Sequence, residues 1–321
     1  MRVLVTGGSG FVGRHLCAGL RDRGLEVTSL DVVAGDLPGV THRVGDIRDG
    51  ALLDELLGAT DVVHHLASVH LDVHASEDDF RSVNVEASAA LVAAAARHAV
   101  RRVVHASSVG VYGHVENPPA SEDAPRHPGN AYERSKAAGE DAVLAAGREH
   151  AQDVVVLRPA WVYGPGCPRT AKLARAIASG RFLYVGSGGN LRHPVYVGDV
   201  VDAFARAATA PASVAGNAYI VAGPRAMPLR EMVDAFARAL DVPAPSRSLP
   251  RPLAMGLGLG LEVAFGAVGK QPPFSRRSIV FFENDNAFDT SAAARDLAFT
   301  AGTNLADGLA ATFGPSREAA A

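Results

Sequence analysis

The sequence has little cysteine, no long hydrophobic run and no excess of one charge sign. Its 321 residues include two cysteines, Cys17 and Cys167, which cannot build a disulfide framework. A reducing compartment such as the cytoplasm is therefore expected. The first ten residues, MRVLVTGGSG, lack the long apolar core of a secretory signal. The longest apolar stretch, 253–269, contains Glu262 and is too short to cross a bilayer, so no transmembrane segment is predicted.

The charged residues are balanced and scattered along the chain. The net charge is −3 with neutral histidines, and the basic residues form no cluster typical of nucleic-acid binding. The histidines at 64, 65, 70 and 74 are close in sequence, but no cysteine or carboxylate follows at a metal-ligand spacing, so no metal site is predicted. The expected partner is a small-molecule substrate.

Strand-like and helix-like segments alternate through the first half of the chain. This alternation predicts an α/β fold, a doubly wound parallel sheet of the Rossmann type with helices on both faces. In such a sheet the carboxyl ends of the strands meet at one edge, where ligands bind. The predicted strands are 2–6, 26–30, 61–66, 101–106 and 153–158, and the predicted helices are 11–23, 83–99 and 132–149.

The pattern changes after about residue 165, where glycine and proline become frequent and helices dominate. We predict a nucleotide-binding domain at 1–165 and a smaller, mostly helical substrate lobe at 166–321, with segments such as 217–223 returning to the main sheet. The expected helices of this lobe are 199–210, 228–240, 253–268 and 290–313.

A glycine-rich turn joins the first predicted strand to the first helix. Gly7, Gly10 and Gly13 have the spacing at which a backbone can approach a pyrophosphate and the following helix can lie close to the strand. Asp31 ends the second strand, where a carboxylate can accept hydrogen bonds from the adenosine ribose and repel a 2′-phosphate. No arginine follows it directly. The sequence therefore predicts a dinucleotide site that favours NAD over NADP.

A serine, a tyrosine and a lysine suggest proton transfer beside that site. Tyr132 and Lys136 are four residues apart, so on a helix they share one face. A nearby ammonium and a positive nicotinamide ring are expected to lower the pKa of the phenol. Ser108 follows a predicted strand and can hydrogen-bond the reacting oxygen. This set suits the interconversion of a secondary alcohol and a ketone.

Four motifs together resemble the extended short-chain dehydrogenase/reductase family, the NAD-dependent epimerase/dehydratase group: TGGSGFVG, SSVGVYG, YERSK and LRPAWVYGPG. The resemblance implies that Ser108, Tyr132 and Lys136 are catalytic and that Asn84 is a structural brace between neighbouring strands. Matched by position, it also implies cofactor contacts from Gly7, Gly10, Phe11, Val12, Gly13, Asp31, Asp46, Ile47, Leu66, Ala67, Ser107, Tyr132, Lys136, Pro159 and Ala160.

The branch of the family, and with it the substrate, stays open at this point. Val109 and Gly110 stand where sugar dehydratases carry an Asp-Glu pair, which disfavours dehydration and leaves redox or epimerisation. Arg192 matches an arginine that clamps the substrate diphosphate in nucleotide-sugar epimerases, unless it pairs with Asp199 or Asp202. This spacing favours a nucleotide-sugar acted on by a 4-epimerase or ketoreductase.

Other features support alternatives. Trp161 stands where those epimerases usually have asparagine, so a substrate contact there would be by stacking. The C-terminal third resembles the 3β-hydroxysteroid dehydrogenase-like branch, which takes apolar substrates. A non-catalytic NAD(P)-binding sensor is a further alternative, which the intact Ser108, Tyr132 and Lys136 disfavour. The resemblance also implies a homodimer formed through two helices per subunit, at 85–100 and at the helix bearing Tyr132.

Overall fold

A seven-stranded parallel sheet forms the centre of the molecule. The structure is a computed structural model, and it describes residues 1–70, 75–266 and 276–314. The strands are β1 (Arg2–Thr6), β2 (Glu26–Asp31), β3 (Thr41–Val44), β4 (Val62–His65), β5 (Arg102–Ala106), β6 (Val154–Pro159), β7 (Trp161–Tyr163), β8 (Tyr184–Val185), β9 (Leu191–Arg192), β10 (Pro194–Tyr196), β11 (Ala218–Val221), β12 (Met227–Pro228) and β13 (Ser248–Leu249).

Helices cover both faces of this sheet and build most of the C-terminal part. A π-helical stretch, Ser82–Ala87, joins two of them. The helices are α1 (Phe11–Asp22), α2 (Gly50–Leu57), α3 (Glu77–Arg81), α4 (Ser88–Arg97), α5 (Ala131–Glu149), α6 (Pro168–Ala178), α7 (Val197–Thr209), α8 (Leu229–Ala239), α9 (Arg251–Gly266), α10 (Arg276–Glu283), α11 (Ser291–Leu297) and α12 (Leu305–Phe313).

The strand order of the sheet is β3-β2-β1-β4-β5-β6-β11, and every neighbouring pair is parallel. The chain reverses direction across the sheet between β1 and β4, which is the usual ligand position of a doubly wound fold. The predicted fold class is confirmed. The segment at 217–223 contains β11, which extends the sheet beyond β6.

Two hydrophobic cores lie on the two faces of the sheet, because its central strands are apolar on both sides. One core contains Val5, Leu157 and Phe204 of α7, together with Phe299 from the C-terminal region. The other contains Leu4, Leu91 of α4 and Val156. A third core belongs to the C-terminal part and packs Tyr184, Phe236 and Leu309 together. Residues beyond 165 thus contribute both to the sheet and to a core of their own.

The helix predicted over 290–313 is broken into α11 and α12. Ala298 ends α11 in the left-handed conformation, with φ of +50°. The chain then returns to the sheet, where Phe299 is almost fully buried. Burial of this phenylalanine, which a helical pattern does not reveal, explains the break. In the part of the chain that the structure describes, no helix is long and apolar enough to cross a membrane.

Candidate active site

The glycine loop after β1 leaves no room for side chains. Gly7 has φ of +72°, and a Cβ atom there would lie 2.7 Å from the Ala67 nitrogen. A Cβ atom on Gly13 would lie 2.0 Å from the Gly7 carbonyl oxygen. The loop therefore packs against itself and against the segment after β4, which contains Leu66 and Ala67. Only glycine permits this close approach of three backbone segments.

Helix α1 presents its N-terminus at this loop. Gly10 precedes the helix and offers no side-chain cap, and no acidic residue lies in the first turn. The first N–H groups, which include those of Phe11 and Val12, thus have no carboxylate competing with an anion. Asp31 lies beside them, and its two carboxylate oxygens accept hydrogen bonds from the backbone of Ser9 at 3.0 Å and of Val33 at 3.1 Å. These features fit a dinucleotide, with the pyrophosphate at the helix and the ribose at Asp31.

The predicted adenine residues Asp46 and Ile47 differ in their surroundings. Asp46 accepts hydrogen bonds from the guanidinium of Arg48, the closest at 2.6 Å, and this partner lowers the pKa of its carboxyl group. Ile47 is buried in the core beside α2. Both carboxylate oxygens of Asp46 are thus engaged by Arg48, whereas the side chain of Ile47 serves packing.

Ser108, Tyr132 and Lys136 come together at the carboxyl ends of β5 and β6. Asn130 caps α5 through the Glu133 N–H at 3.1 Å, which places Tyr132 in the first turn of the helix. The Ser108 hydroxyl lies near the Tyr132 phenol and lowers its pKa slightly. Lys136 lies one turn further, buried, and its Nζ donates to the Ala106 carbonyl at 2.5 Å. The sequence spacing thus produces one cluster.

The pKa of Tyr132 differs from the expected direction. Burial raises it to about 12, Glu133 adds to the rise, and Arg169 and the Ser108 hydrogen bond oppose it. Burial also lowers the pKa of Lys136 to about 8. The expectation that the lysine lowers the phenol's pKa is wrong for the protein's own groups, because burial dominates and the ammonium is directed at Ala106. At neutral pH the phenol is protonated.

Four further predicted residues flank this cluster. Ser107 is buried, and its hydroxyl has no hydrogen-bond partner among the described residues. Pro159 ends β6, and the Ala160 N–H donates to Val221 of β11 at 2.9 Å. Trp161 stacks on Tyr163 with ring centroids 6.2 Å apart and packs with the C-terminal core. A role in substrate binding for Trp161 stays a prediction.

A buried ion pair supports the catalytic helix, and the sequence analysis missed it. Glu140 lies one turn after Lys136 and accepts two hydrogen bonds from Arg158 of β6, at 3.0 and 2.5 Å. Arg158 also donates to the Tyr112 hydroxyl and to the Glu122 carbonyl, the latter at 2.9 Å. The pair fixes α5 to the strand that ends at Pro159. Glu140 lies at i+4 from Lys136, and this spacing is the sequence signal that could have pointed to it.

Arg192 lies on β9 beside the aromatic ring of Phe281, with its guanidinium carbon 4.3 Å from the ring centroid. Neither of its expected partners pairs with it. Asp199 accepts from the N–H groups of Gly302 and Thr303, and Asp202 pairs with arginines of α1 and α7. No described carboxylate forms an ion pair with Arg192. Burial, and next Arg169, lower the pKa of its guanidinium to about 10.

His70 and Arg169 adjoin Tyr132, and the sequence analysis gave neither a role in the site. The Arg169 Nη2 lies 3.1 Å from the His70 Nε2, and the His70 ring meets the Tyr132 ring edge-on at 4.6 Å. Arg169 also influences the pKa of Arg192. Arg169 thus lies close enough to influence the pKa values of both Tyr132 and Arg192. Only the fold brings His70, Arg169 and Tyr132 together, because they come from three separate segments of the chain.

The clustered histidines do not form a metal site in the described residues. His64 and His65 are buried in β4, and burial lowers both pKa values to about 3. His65 contacts the Thr6 hydroxyl at 2.7 Å and the Ser88 hydroxyl at 2.9 Å. No group of ligands suited to a metal ion occurs where the structure describes the chain, and His74 lies outside those residues.

Asn84 braces a loop and a helix rather than two strands. Its amide oxygen accepts from the Val69 N–H at 2.7 Å, and its nitrogen donates to the Val69 carbonyl and to the Ser135 hydroxyl. Because Ser135 precedes Lys136, this residue connects the segment after β4 with the catalytic helix. The role remains structural, as expected.

Comparisons with known proteins identify the family of the chain. The NAD dependent epimerase/dehydratase family model matches residues 3–222. A 2-alkyl-3-oxoalkanoate reductase of Stenotrophomonas maltophilia is 29 % identical, with 96 % of this chain and 97 % of the relative covered. An N-acetyl-alpha-D-glucosaminyl-diphospho-ditrans,octacis-undecaprenol 4-epimerase of Escherichia coli is 28 % identical, with 97 % and 94 % covered.

A solved structure, MoeE5 in complex with UDP-glucuronic acid and NAD, is similar over 98 % of both chains, with 27 % identity and a TM-score of 0.76. The expectations of a Rossmann-type fold, of an enzyme and of NAD as its cofactor are confirmed. Because the family model covers well over half of the sequence and the cradle for a dinucleotide is formed, the chain belongs to the NAD-dependent epimerase/dehydratase family.

Proposed function

We propose that Ser108, Tyr132 and Lys136 carry out the interconversion of a secondary alcohol and a ketone with NAD as cofactor. NAD supplies the hydride acceptor, and in its reduced form the hydride donor. Tyr132 holds the proton that moves to or from the substrate oxygen, and Ser108 hydrogen-bonds that oxygen. With a pKa of about 12 the phenol is a proton donor at neutral pH, which suits the reduction of a ketone. Lys136 anchors the helix end and can hold the nicotinamide ribose.

The proposed substrate is a sugar carried on a nucleoside diphosphate. The observation that carries this is Arg192, a buried guanidinium without a described ion-pair partner, with Arg169 as a second cation between it and Tyr132. A diphosphate would supply negative charge to this group in addition to that of the nearby Asp285. The names of the Escherichia coli relative and of the MoeE5 complex both specify a sugar on a diphosphate. Redox or 4-epimerisation through a transient ketone fits Val109 and Gly110.

A thermal-shift screen with NAD present tests this substrate class, using UDP, TDP, GDP and a hydroxysteroid. We expect stabilisation by a nucleoside diphosphate, and Arg192→Ala should weaken its binding roughly ten- to a hundredfold, as for a lost charged hydrogen bond. Arg230→Ala is the matched control, because its guanidinium also lies 4.3 Å from a ring, that of Tyr184, but is directed at the Ser187 carbonyl. Stabilisation by the steroid alone would contradict the proposal.

An apolar hydroxy or keto substrate is the second candidate. The observation in its favour is α9, where Leu253, Leu257 and Leu259 are exposed, and the Stenotrophomonas maltophilia relative is named as a reductase of an alkylated oxo acid. In this case Arg192→Ala should have little effect on stabilisation by the substrate. The double substitution Leu257→Ser with Leu261→Ser should instead abolish stabilisation by the hydroxysteroid.

We also propose a cytoplasmic homodimer formed through α4 and α5. Ala90 of α4 and Ala138 and Ala145 of α5 are exposed, and small side chains of this kind permit close helix packing. Sedimentation velocity of the wild type and of Ala138→Arg should show a dimer that the arginine disrupts. A monomeric wild type at micromolar concentration would contradict this arrangement.

A further inference from the structure

An apolar surface covers the outer side of α9 and α10. We define the α9 surface by Leu253, Leu257, Leu259 and Val280, which are 61 %, 48 %, 47 % and 45 % exposed. Leu253 and Leu257 are one turn apart on the helix. Gly256 and Gly260 lie between them and Leu259, and a Cβ atom on either glycine would meet nothing within 4 Å. Along α9 the surface is therefore open at both glycines.

This exposure is unusual for a helix of such composition. A helix that is apolar on all sides is normally buried, and large contiguous apolar patches mark surfaces that bind something. Among the described side chains of α9, Ala254 is the fully buried apolar one, packed with Val185 and Ile279. Met255 packs beside Ala254 on the same cluster, whereas Leu253, Leu257 and Leu259 face outward.

Basic residues border the α9 surface at the start of the helix. Arg247 precedes β13 and Arg181 precedes β8, and these two strands pair side by side. Both arginines are exposed, and neither forms an ion pair with a described carboxylate. Arg251, the first residue of α9, pairs with Glu283 of α10. Glu262 is the acidic residue of α9 itself, in its last turns. The N-terminal border therefore carries positive charge.

Helix α10 of this pair also contacts Arg192. Phe281 of α10 lies against Arg192, while the neighbouring Val280 belongs to the exposed surface. The ion pair between Arg251 and Glu283 joins the start of α9 to the end of α10. A layer in contact with the α9 surface would thus lie on the helix pair whose Phe281 contacts Arg192.

We propose that the α9 surface docks on membranes that contain anionic lipids. Leucines on an open helix insert at the boundary of head groups and acyl chains, and arginines at its border attract anionic head groups. The helix lies on the membrane and does not cross it. This docking does not depend on which substrate the enzyme takes.

Co-sedimentation of the full-length protein with vesicles tests the proposal. Vesicles of phosphatidylcholine with phosphatidylglycerol should bind the wild type, more weakly at high salt, and pure phosphatidylcholine should bind much less. Leu253→Ser combined with Leu257→Ser should reduce partitioning at least about tenfold. Arg181→Glu should reduce it roughly fivefold or more. Val44→Ser is the matched control, because Val44 is also 61 % exposed but lies on the edge strand β3.

Binding that the leucine and arginine variants lose and Val44→Ser keeps supports the proposal, provided that NAD binding and melting temperature are unchanged in all variants. Equal binding to both vesicle types, no binding by the wild type, or binding unaffected by the leucine substitutions would overturn it. Leucine-dependent self-association in sedimentation velocity, without vesicle binding, would also overturn it and assign the surface to a second copy of the chain.

Discussion

Glycine residues have opposite surroundings in the glycine loop and in helix α9. At Gly7 and Gly13 an added Cβ atom would overlap backbone, whereas at Gly256 and Gly260 it would meet open space. The charges differ in the same way, since Arg158 and Glu140 are buried together and Arg251 and Glu283 pair at the surface. The sheet region thus depends on close contacts between backbone and buried charges, whereas α9 presents most of its described leucines outward.

The largest difference should appear in the two ion pairs. Arg158→Met leaves Glu140 charged and buried, and should lower the free energy of unfolding by about 3–5 kcal/mol. Arg251→Met breaks an exposed pair and should cost less than about 1 kcal/mol. Urea denaturation of both variants measures this. Adding Glu140→Gln to Arg158→Met should recover part of the lost free energy of unfolding. Equal losses for Arg158→Met and Arg251→Met would contradict the expected difference.

Matched glycine substitutions test the difference between the glycine loop and α9. Gly13→Ala places a methyl group 2.0 Å from the Gly7 carbonyl oxygen, so it should destabilise the protein by about 1–3 kcal/mol and weaken NAD binding. Gly256→Ala should stabilise it by about 0.5–1 kcal/mol, because alanine is the better helix former. Thermal melting and NAD titration by calorimetry measure both. A Gly13→Ala variant of normal stability and NAD affinity would disprove the proposed packing.

Acid should weaken the sheet through its buried histidines, whereas α9 and α10 contain none. Burial lowers the pKa of His64 from 6.5 to about 3. The unfolded chain therefore binds this proton first, so the stability is fully present above pH 6.5 and is lost as the pH falls towards 3. His64→Leu should reduce the loss between about pH 7.5 and about pH 5 by about 2 kcal/mol.

Urea denaturation at the two pH values gives this difference. His150→Leu is the control, because His150 is exposed at the end of α5. An identical pH dependence in the wild type and in His64→Leu would show that His64 takes up its proton in the folded state.

Cofactor choice should give the smallest effect. Asp31 would repel a 2′-phosphate, so NAD should bind roughly tenfold or more tightly than NADP. Asp31→Ser should reduce this ratio, whereas Leu253→Ser in α9 should leave it unchanged. Calorimetric titration with both cofactors is the measurement, and equal affinities in the wild type would contradict the role of Asp31.

The sequence predicted the parts that chemistry restricts to particular residues. The glycine loop, the carboxylate of β2 and the cluster of Ser108, Tyr132 and Lys136 require fixed residue types at fixed spacings, and the structure brings them to one sheet edge. Contacts between distant segments were not predictable in this way. The proximity of His70 and Arg169 to Tyr132 depends on the path of three segments, which no local pattern specifies.

Two further differences have the same origin. The helix break at Ala298 follows from burial of Phe299 against the sheet, a tertiary contact that overrides the helical pattern. The raised pKa of Tyr132 follows from burial, which outweighs the charges that the spacing with Lys136 suggested. In α9 the sequence predicted a helix, and apolar composition alone does not determine which side of it is covered.

The most direct test of proton transfer by Tyr132 is NADH formation by the wild type and by Tyr132→Phe. Each protein is mixed with NAD and UDP-glucose, UDP-glucuronic acid or a hydroxysteroid, and the near-ultraviolet absorbance of NADH is followed before the steady state. The account predicts NADH formation that Tyr132→Phe slows by at least about a hundredfold, while NAD binds it with nearly unchanged affinity. A variant that retains most of the rate, or that loses NAD binding to the same extent as activity, would contradict it.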